Sequence, residues 1–387
     1  MTTNKCAICG RAGLSPLLNR RGVPVHQNLP LASREAARAV PRGDLRLVAC
    51  GTCGFVSNEA FDPALLRYSE GYENTQALSP EFARYIDGLV DSLIAAGVTD
   101  KTVVEVGSGK GEFISRLCER GANRGFGFDP SYVGPDLSAD GRVRFIREVY
   151  SANNVVSAVD VVICRHVIEH LPDPASLLRS LAVAGRIDTG TTAYFETPDV
   201  DWILRGVVFW DFFYEHCSYF SKRSFREAFV STGYNVDRVV NVFGGQYLWL
   251  QARLDSSPGA SVPDEAGDMG LLKHYSSTEA ARFARWRDLI ERRSQEGDIV
   301  VWGAGAKGVT FVNLLDPDAR LFEAVVDVNP AKVGRFIPGT GHAIVAPAAL
   351  RQLRPECAIV LNPNYVDEIR LQLRDLGLSG MAIEVAE

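Results

Sequence analysis

Hydrophobic residues recur along this chain in two distinct patterns. Short continuous apolar runs that end at glycine or at polar residues predict buried strands, as at 102–106, 159–164 and 193–196. Between these runs, apolar residues recur every three or four positions, as at 82–89 and 113–117, which is typical of amphipathic helices. Strands that alternate with helices predict an α/β fold with a doubly wound parallel sheet, whose ligands bind at the carboxyl ends of the strands.

The first of these strands runs into a loop with three glycines. The segment 102–113, Thr-Val-Val-Glu-Val-Gly-Ser-Gly-Lys-Gly-Glu-Phe, has the pattern of a strand, a tight turn and the start of a helix. Glycines at positions 107, 109 and 111 carry no Cβ, so a ligand can approach the backbone closely. We therefore predict a nucleotide-type site formed by Gly107, Ser108, Gly109 and Gly111 at the N-terminus of that helix.

Glu105, two residues before the first glycine, indicates which kind of nucleotide-type ligand this site binds. Glu105 would repel a pyrophosphate, but it would attract a cation such as S-adenosylmethionine, which carries a sulfonium and an ammonium group. Asp129, eighteen residues after Gly111, ends the next predicted strand and is placed to accept the ribose hydroxyls. His166, directly after the strand at 159–164, is assigned to the same cofactor site. A glycine turn without a ligand is the alternative.

Two Cys-x2-Cys pairs predict a metal site near the N-terminus. Cys6 and Cys9 form one pair, Cys50 and Cys53 form the other, and a glycine follows each second cysteine. Four thiolates from two such turns are typical of a closed tetrahedral structural zinc site. A redox pair and a catalytic zinc are weaker alternatives, because the pairs are matched and would leave no open coordination position.

Length and composition limit the possible functions. A chain of 387 residues predicts two or three domains, and 46% hydrophobic with 23% charged residues is ordinary for a globular protein. The net charge of −6 without a basic run argues against nucleic acid as a partner. No apolar run is long enough to span a membrane, and the first residues lack an apolar signal segment. We therefore expect a cytoplasmic protein with reduced cysteines; the oligomeric state is left open, with a monomer as the working expectation.

The most unusual segment is an aromatic run that contains two titratable residues. In 210–220, Glu215 and His216 lie among six aromatic side chains, which would exclude water and shift the pKa values of both groups. These two residues could therefore act as a general base and its partner, whereas a buried ion pair is the structural alternative. His170, after the strand at 159–164, is a further candidate, although a histidine there can simply cap the following turn.

A second glycine loop follows a stretch whose composition predicts a linker. Residues 254–270 are rich in Gly, Pro, Ser and Asp, and a long helical pattern comes next. The loop itself runs from Gly303 to Gly308, and Asp327 ends the strand that follows it. This loop is a dinucleotide-type fingerprint, but few residues remain for a separate catalytic domain. It could bind NAD, bind a substrate that bears a nucleotide, or only pack.

With these features in place, nearly the whole chain resembles the three-domain sugar C-methyltransferases of natural-product biosynthesis. The resemblance rests on the four cysteines, both glycine loops, the Glu-x-Gly-x-Gly-x-Gly order of class I methyltransferases, and Tyr214-Glu-His-Cys-Ser-Tyr-Phe220. It implies a zinc-binding domain with a lid segment at 1–80, a methyltransferase domain at 81–253, and a C-terminal Rossmann-like domain at 254–387. This last domain would help to hold a nucleotide-linked keto-sugar.

The resemblance also implies roles for individual residues. The family's Glu-His pair corresponds to Glu215 and His216, its strand-end histidine to His170, and its N-terminal tyrosine to Tyr68 or Tyr72. This chain has Tyr72-Glu-Asn-Thr75 where the family has a run rich in tyrosine and serine. That difference concerns which substrate the protein binds rather than which reaction it catalyses.

These residues suggest a mechanism and three alternatives. His216, tuned by Glu215, would remove a proton next to a ketone, while His170 and a tyrosine stabilise the enolate. An O- or N-methyltransferase could use the same architecture. An oxidoreductase would bind NAD at Gly303–Gly308, and a zinc-binding scaffold would have no catalytic activity.

Overall fold

A computed structural model describes residues 5–66, 71–151, 154, 156, 158–185, 190–254 and 269–386. The strands of this part are β1 (Leu14–Pro24), β2 (Arg42–Cys50), β3 (Val56–Asn58), β4 (Thr102–Val106), β5 (Arg124–Phe128), β6 (Val143–Ile146), β7 (Val161–Arg165), β8 (Thr192–Pro198), β9 (Ser218–Tyr219), β10 (Tyr234–Val242), β11 (Tyr247–Leu254), β12 (Ile299–Trp302), β13 (Phe322–Val326), β14 (Ile344–Val345), β15 (Cys357–Val360) and β16 (Ala382–Val385). The helices are α1 (Arg34–Arg38), α2 (Pro80–Ala95), α3 (Glu112–Gly121), α4 (Pro174–Gly185), α5 (Val200–Gly206), α6 (Lys222–Val230), α7 (Met269–Glu296), α8 (Ala306–Leu315), α9 (Leu350–Leu353) and α10 (Val366–Asp375).

The central sheet has seven strands in the order β10-β11-β8-β7-β4-β5-β6. Strand β4 is fully buried at Val103 and Val104 and pairs in parallel with both β5 and β7. The predicted α/β class with a doubly wound sheet is therefore confirmed. One strand departs from the purely parallel arrangement, because β11 runs antiparallel to β8 and to β10. Only residues 243–246 separate β10 from β11, and so short a connection can join only antiparallel strands.

The C-terminal sheet has five parallel strands in the order β14-β13-β12-β15-β16. Residues 299–302 form β12, and α8 follows the second glycine loop. The long helix α7 precedes this sheet and contacts β1, α5 and β12. The predicted linker at 254–270 lies mostly outside the described residues, and the helix already begins at its last two positions.

The N-terminal sheet is antiparallel and takes one strand from far along the chain. Its order is β1-β2-β3-β9, and β9 pairs with β3 through Val56 opposite Tyr219 and Ser57 opposite Ser218. Strand β9 lies in the aromatic run at 210–220, so this run belongs to two parts of the fold. The sequence pattern does not show this pairing, since two residues are too few to carry a strand periodicity. The three domain ranges remain predictions.

Helices α2 and α3 cover the central sheet next to the first glycine loop. Ser79 caps α2 by accepting a hydrogen bond from the Phe82 amide at 3.2 Å, and Pro80 is suited to the first helical position. Helix α3 ends at Gly121, and the next residue, Ala122, has the left-handed conformation at φ 53°. Among the described residues, no helix combines the length and the apolar character that crossing a membrane requires.

Candidate functional site

The first glycine loop lies between two neighbouring segments that leave no room for side chains. A Cβ on Gly107 would lie 2.1 Å from Val167 Cγ2, and one on Gly111 would lie 2.4 Å from the Phe145 ring. Both glycines have positive φ, which other residues adopt at a cost. Gly109 is different, since nothing lies within 4 Å of its Cβ position. The loop is therefore tightly held at its two ends and open in its middle, as a cradle for a ligand requires.

Asp129 is placed beside this loop, as its position after β5 predicts. Its Oδ2 accepts a hydrogen bond from the Gly109 amide at 2.8 Å, and its Oδ1 accepts two from Ser131, through the amide at 2.8 Å and the hydroxyl at 2.6 Å. These bonds fix the carboxylate at the open middle of the loop. The remaining lone pairs of a carboxylate suit ribose hydroxyls, so the predicted role of Asp129 stays compatible with its geometry.

Glu105 lies beneath the loop, with 2% of its surface exposed. Burial raises the pKa of Glu105 to about 8, although the guanidinium of Arg165 and the backbone amide of Ile114 favour its charged form. Oε2 of Glu105 is buried without a hydrogen-bond partner among the described residues. A buried acceptor of this kind at the base of the cradle fits a cationic ligand, because a nearby cation would stabilise the carboxylate.

A charged cluster that the sequence patterns did not indicate surrounds His166. Arg165 Nε donates to Glu196 Oε2 at 2.6 Å, and the Tyr85 hydroxyl donates to the other oxygen of Glu196. His166 has φ 53°, and its ring lies 3.3 Å from Glu169 and 3.5 Å from Glu196. Burial lowers the pKa of His166, but these two carboxylates outweigh that effect and raise it to about 9. The sequence signal for this cluster was a charged residue at or near the carboxyl end of each of two strands, Arg165 in β7 and Glu196 in β8.

Tyr72 and Glu215, both predicted site residues, are in contact. The Tyr72 hydroxyl donates to Glu215 Oε2 at 3.3 Å, and Asn28 Nδ2 donates to the same hydroxyl at 3.3 Å. Glu215 is fully buried. Burial raises its pKa to about 8, against the opposing effects of the Gln27 amide, the Tyr72 hydroxyl and the charge of Lys332. Tyr68, the other predicted tyrosine, lies outside the described residues.

His216 faces His170 rather than the carboxylate of its sequence neighbour. The His170 and His216 rings are 4.8 Å apart in an edge-to-face arrangement, and Phe213 lies 4.1 Å from the His216 ring. No hydrogen bond between the Glu215 carboxylate and the His216 ring is found in the described part of the chain. Burial and the neighbouring His170 lower the pKa of His216 well below its usual value, so its imidazole is neutral at pH 7. A neutral imidazole is the form that can accept a proton.

Hydrogen bonds to backbone carbonyl groups hold together the two segments that carry these histidines. The Cys217 amide donates to the Glu169 carbonyl at 3.0 Å, and the Ser218 hydroxyl donates to the Leu171 carbonyl at 2.8 Å. Because Val167 touches the glycine loop, the segment from His166 to His170 joins the predicted cofactor site to the Glu215–His216 site. Residues that the sequence placed 50 positions apart are thus brought to one edge of the central sheet.

The aromatic run contributes to this site only in part. Phe213 and Tyr219 contact the His216 ring, with centroids 4.1 and 5.9 Å away. Trp210 instead contacts Trp286 and Phe311, and Phe212 contacts Tyr275. The expectation that the whole run forms aromatic walls around Glu215 and His216 is therefore wrong for Trp210 and Phe212. These two rings belong to the hydrophobic core between α7 and α8.

Within the described ranges, two groups of side chains are compact enough to hold a metal ion. The Sγ atoms of Cys6 and Cys53 are 3.6 Å apart, as are those of Cys9 and Cys50. This agrees with the separation of about 3.8 Å expected around tetrahedral zinc with Zn–S bonds near 2.3 Å. Gly10 and Gly54 have positive φ and close the two turns. The thiol cluster fits the predicted structural zinc.

The second compact group consists of Glu169, His170 and His216, whose candidate donor atoms all lie within 4.8 Å of one another. The Thr197 hydroxyl already donates to Glu169 Oε2 at 3.1 Å. This group coincides with the histidine pair described above.

The second glycine loop is built like the first but faces the central sheet. The Ala304 amide donates to Asp327 Oδ2 at 2.7 Å, just as Gly109 donates to Asp129. Lys307, two residues after the loop's second glycine, forms an ion pair with Asp211 at 2.8 Å and donates to Gln246 at 3.0 Å. The buried Lys332 donates to the Ala304 carbonyl at 3.1 Å. This loop therefore lies at the contact between the C-terminal and central sheets.

Two family models match separate parts of the chain. Residues 79–239 match a model described as a methyltransferase domain, and residues 270–383 match one described as a C-methyltransferase C-terminal domain. The first match contains the glycine loop, Asp129, His170 and His216. The second contains β12 to β15 and the first two residues of β16.

Curated relatives match less than a third of the chain. The chain is 33% identical over 110 residues to a ubiquinone biosynthesis O-methyltransferase of Serratia proteamaculans, covering 27% of this chain and 45% of the relative. It is 31% identical over 135 residues to the Nitrosomonas europaea protein of the same name, covering 31% and 51%. The chain thus spans about half the length of the curated relatives it matches.

Solved structures of methyltransferases are similar to less than half of the chain, at low identity. Magnesium protoporphyrin IX methyltransferase from Synechocystis PCC 6803, solved with bound SAH (S-adenosylhomocysteine), has a TM-score of 0.36 and 17% identity over 45% of this chain and 83% of that chain. A putative S-adenosylmethionine-dependent methyltransferase from Listeria monocytogenes has a TM-score of 0.33 and 10% identity, over 45% and 100%. Together with the curated names, the two family-model matches support an S-adenosylmethionine-dependent methyltransferase.

Proposed function

We propose that this protein is an S-adenosylmethionine-dependent methyltransferase that methylates a carbon atom next to the ketone of a nucleotide-linked sugar. The observation that carries the proposal is the position of His216, whose ring lies 4.8 Å from that of His170, at the end of the turn that contacts the glycine loop through Val167. A C-methyltransferase C-terminal domain over residues 270–383 favours carbon as the acceptor atom. S-adenosylmethionine, when bound, supplies an electrophilic methyl group on its sulfonium.

The cradle has the chemistry that this cofactor needs. Glu105 offers a buried acceptor for positive charge, Asp129 offers a fixed carboxylate at the open middle of the loop, and Gly109 leaves space above the backbone. A cofactor bound there would lie next to Val167 and therefore next to the turn that carries His170.

His216 would act as the general base. Its neutral imidazole can take a proton from a carbon next to a ketone, and that proton is acidic because the resulting charge moves to the ketone oxygen. His170, together with Tyr72 held by Glu215 and Asn28, would stabilise the charge on that oxygen. The carbon nucleophile formed in this way is then ready to accept the methyl group. Glu215 acts through Tyr72 in this scheme and not through direct contact with the His216 ring.

An O-methyltransferase is the second candidate, and the curated relatives' names favour it, since both proteins are O-methyltransferases. The same histidine would then take a proton from a hydroxyl group. Carbon NMR of the product distinguishes a new C–CH3 group from a methoxy group.

Deuterium exchange tests the proposed base directly. A nucleoside-diphosphate 4-keto-sugar incubated in deuterated water with the wild-type protein should exchange a C–H hydrogen, and His216→Ala should abolish the exchange. His274→Ala, at an exposed position on α7, is the matched control. Retention of full exchange and full methyl transfer in His216→Ala would show that another group is the base.

A further inference from the structure

Arg165 has a fixed position with part of its hydrogen-bonding capacity unused. It ends β7, one residue beyond the pairing of Cys164 with Val106 in β4. One side of its guanidinium donates to Glu196 at 2.6 Å, and its central carbon lies 4.5 Å from the ring centroid of Phe113, in the first turn of α3. The side chain is therefore clamped between β8 and the helix that follows the first glycine loop.

The other side of the guanidinium has no assigned partner. Nη2 of Arg165 is buried and has no hydrogen-bond partner among the described residues, and the side chain is 10% exposed. Leaving a buried charged donor unpaired is costly, so such an atom indicates a missing acceptor. Glu105 Oε2, on the adjacent strand, is a buried acceptor in the same condition. No ion pair within 4 Å joins Arg165 to Glu105 in the described part of the chain.

The two unpaired atoms are complementary to an α-amino acid. A cationic donor and an anionic acceptor at the carboxyl ends of neighbouring parallel strands match a carboxylate and an ammonium group on one carbon. The methionine part of S-adenosylmethionine is such a group, and the glycine loop places the cofactor at this edge of the sheet. We propose that Arg165 is a cofactor-positioning residue that binds the carboxylate of the methionine part, with Glu105 receiving the ammonium. This inference rests on the proposed cofactor.

Two other roles for Arg165 must be separated from this one. Arg165 could serve only to hold Glu196, in which case its replacement would affect every ligand of the site alike. It could instead bind a carboxylate on the methyl acceptor, in which case its replacement would leave cofactor binding unchanged.

Calorimetric titration with two cofactor-derived probes distinguishes these roles. S-adenosylhomocysteine carries the amino-acid part, whereas 5′-methylthioadenosine keeps the adenosine and the sulfur but lacks it. We expect Arg165→Lys to weaken binding of S-adenosylhomocysteine on the order of 10- to 100-fold, the usual cost of losing a hydrogen bond between charged groups, and to leave 5′-methylthioadenosine binding unchanged. Arg179→Lys is the matched control, because Arg179 is exposed and pairs only with Asp173 in the described contacts.

The outcomes are separable from those of the proposed function. Equal losses for both probes, or no loss for either, would overturn the role of Arg165 while leaving the cofactor assignment intact. Failure of the wild-type protein to bind either probe would overturn the cofactor assignment itself. If Arg165→Lys does not fold, a crystal structure of the wild-type protein with S-adenosylhomocysteine gives the answer. The carboxylate should lie within hydrogen-bond distance of Arg165 Nη2, and a carboxylate elsewhere would contradict the proposal.

Discussion

The hydroxyl of Tyr72 lies 3.3 Å from Oε2 of Glu215, although 143 positions separate the two residues in the chain. Asn28 donates to the same hydroxyl, so two residues that precede the central sheet in the chain are linked to a carboxyl group that lies between β8 and β9. Glu73 strengthens this connection, because its amide donates to the Asn28 carbonyl at 2.7 Å. The N-terminal region therefore contributes side chains to the candidate active site, in addition to the four cysteines of the predicted zinc site.

Tyr72→Phe should lower kcat by roughly fivefold and leave cofactor affinity unchanged. The variant removes a hydrogen bond to a buried carboxyl group, which is worth about 1 kcal/mol, and leaves the ring in place. Tyr365→Phe is the control, since it removes a hydroxyl that contacts Gln76 at 3.4 Å outside the site. Steady-state kinetics with saturating S-adenosylmethionine measures the effect. An unchanged kcat in Tyr72→Phe would remove this tyrosine from the proposed mechanism.

Cofactor binding should release a proton from Glu105. Its pKa of about 8 in the free protein means that the carboxyl group is mostly protonated at pH 7. A bound ammonium or sulfonium group favours the charged form, so affinity should rise from pH 6.5 to pH 8 and level off above it. At pH 7, the calorimetric binding enthalpy should depend on the ionisation enthalpy of the buffer. Glu105→Gln should show a smaller buffer dependence, and an identical one would contradict this assignment.

His216→Asn should lower kcat by about 10²- to 10⁴-fold, the usual range for loss of a general base. Because the pKa of His216 lies well below its usual value, the wild-type base stays neutral as the pH falls through 6.5. The rate of deuterium exchange in the substrate should therefore not decline between pH 8 and pH 6.5. A decline with a midpoint near 6.5 would indicate an unperturbed histidine as the base. His274→Asn, exposed on α7, controls for the substitution itself.

Removal of the predicted zinc should disable methyl transfer more than cofactor binding. The Ser221 hydroxyl donates to the Cys53 carbonyl at 3.2 Å, and β9 pairs with β3 just after the second cysteine pair. Loss of the cluster should therefore disturb residues 214–221 while the glycine loop stays formed. Cys50→Ser should lose about one zinc per chain by elemental analysis, with a lower Tm and nearly unchanged S-adenosylhomocysteine affinity. Cys357→Ser, in β15, should keep its zinc.

Asp316→Asn should destabilise the fold at neutral pH but not in acid. Burial raises the pKa of Asp316, but hydrogen bonds from His342 at 2.9 Å and from three backbone amides outweigh this and lower it to about 2. The stabilisation is thus present above pH 4 and is lost as the pH falls from about 4 to 2. We expect a loss of roughly 2 kcal/mol in the free energy of unfolding at pH 7. Urea unfolding at several pH values measures it, with the exposed Asp318→Asn as the control.

Local patterns were sufficient to predict the elements of the cofactor cradle. The buried strand, the glycines and the following helix are consecutive, and each follows from short-range sterics or from a 3.6-residue periodicity. Asp129 could be assigned because a parallel sheet brings the ends of successive strands together. The thiol cluster followed from matched spacing, and a tetrahedral site leaves few other arrangements for four cysteines.

Contacts between distant segments required the tertiary structure. Sequence adjacency suggested that Glu215 acts directly on His216, but the backbone turns their side chains toward different partners, Tyr72 and His170. The same limit applies to β9, to the inward packing of Trp210, and to the ion pair between Arg165 and Glu196. Each depends on which surfaces meet when three sheets pack, and a local pattern carries no information about that choice. The sequence alone thus determined the chemistry of the cradle, whereas tertiary packing decided how the candidate catalytic residues are paired.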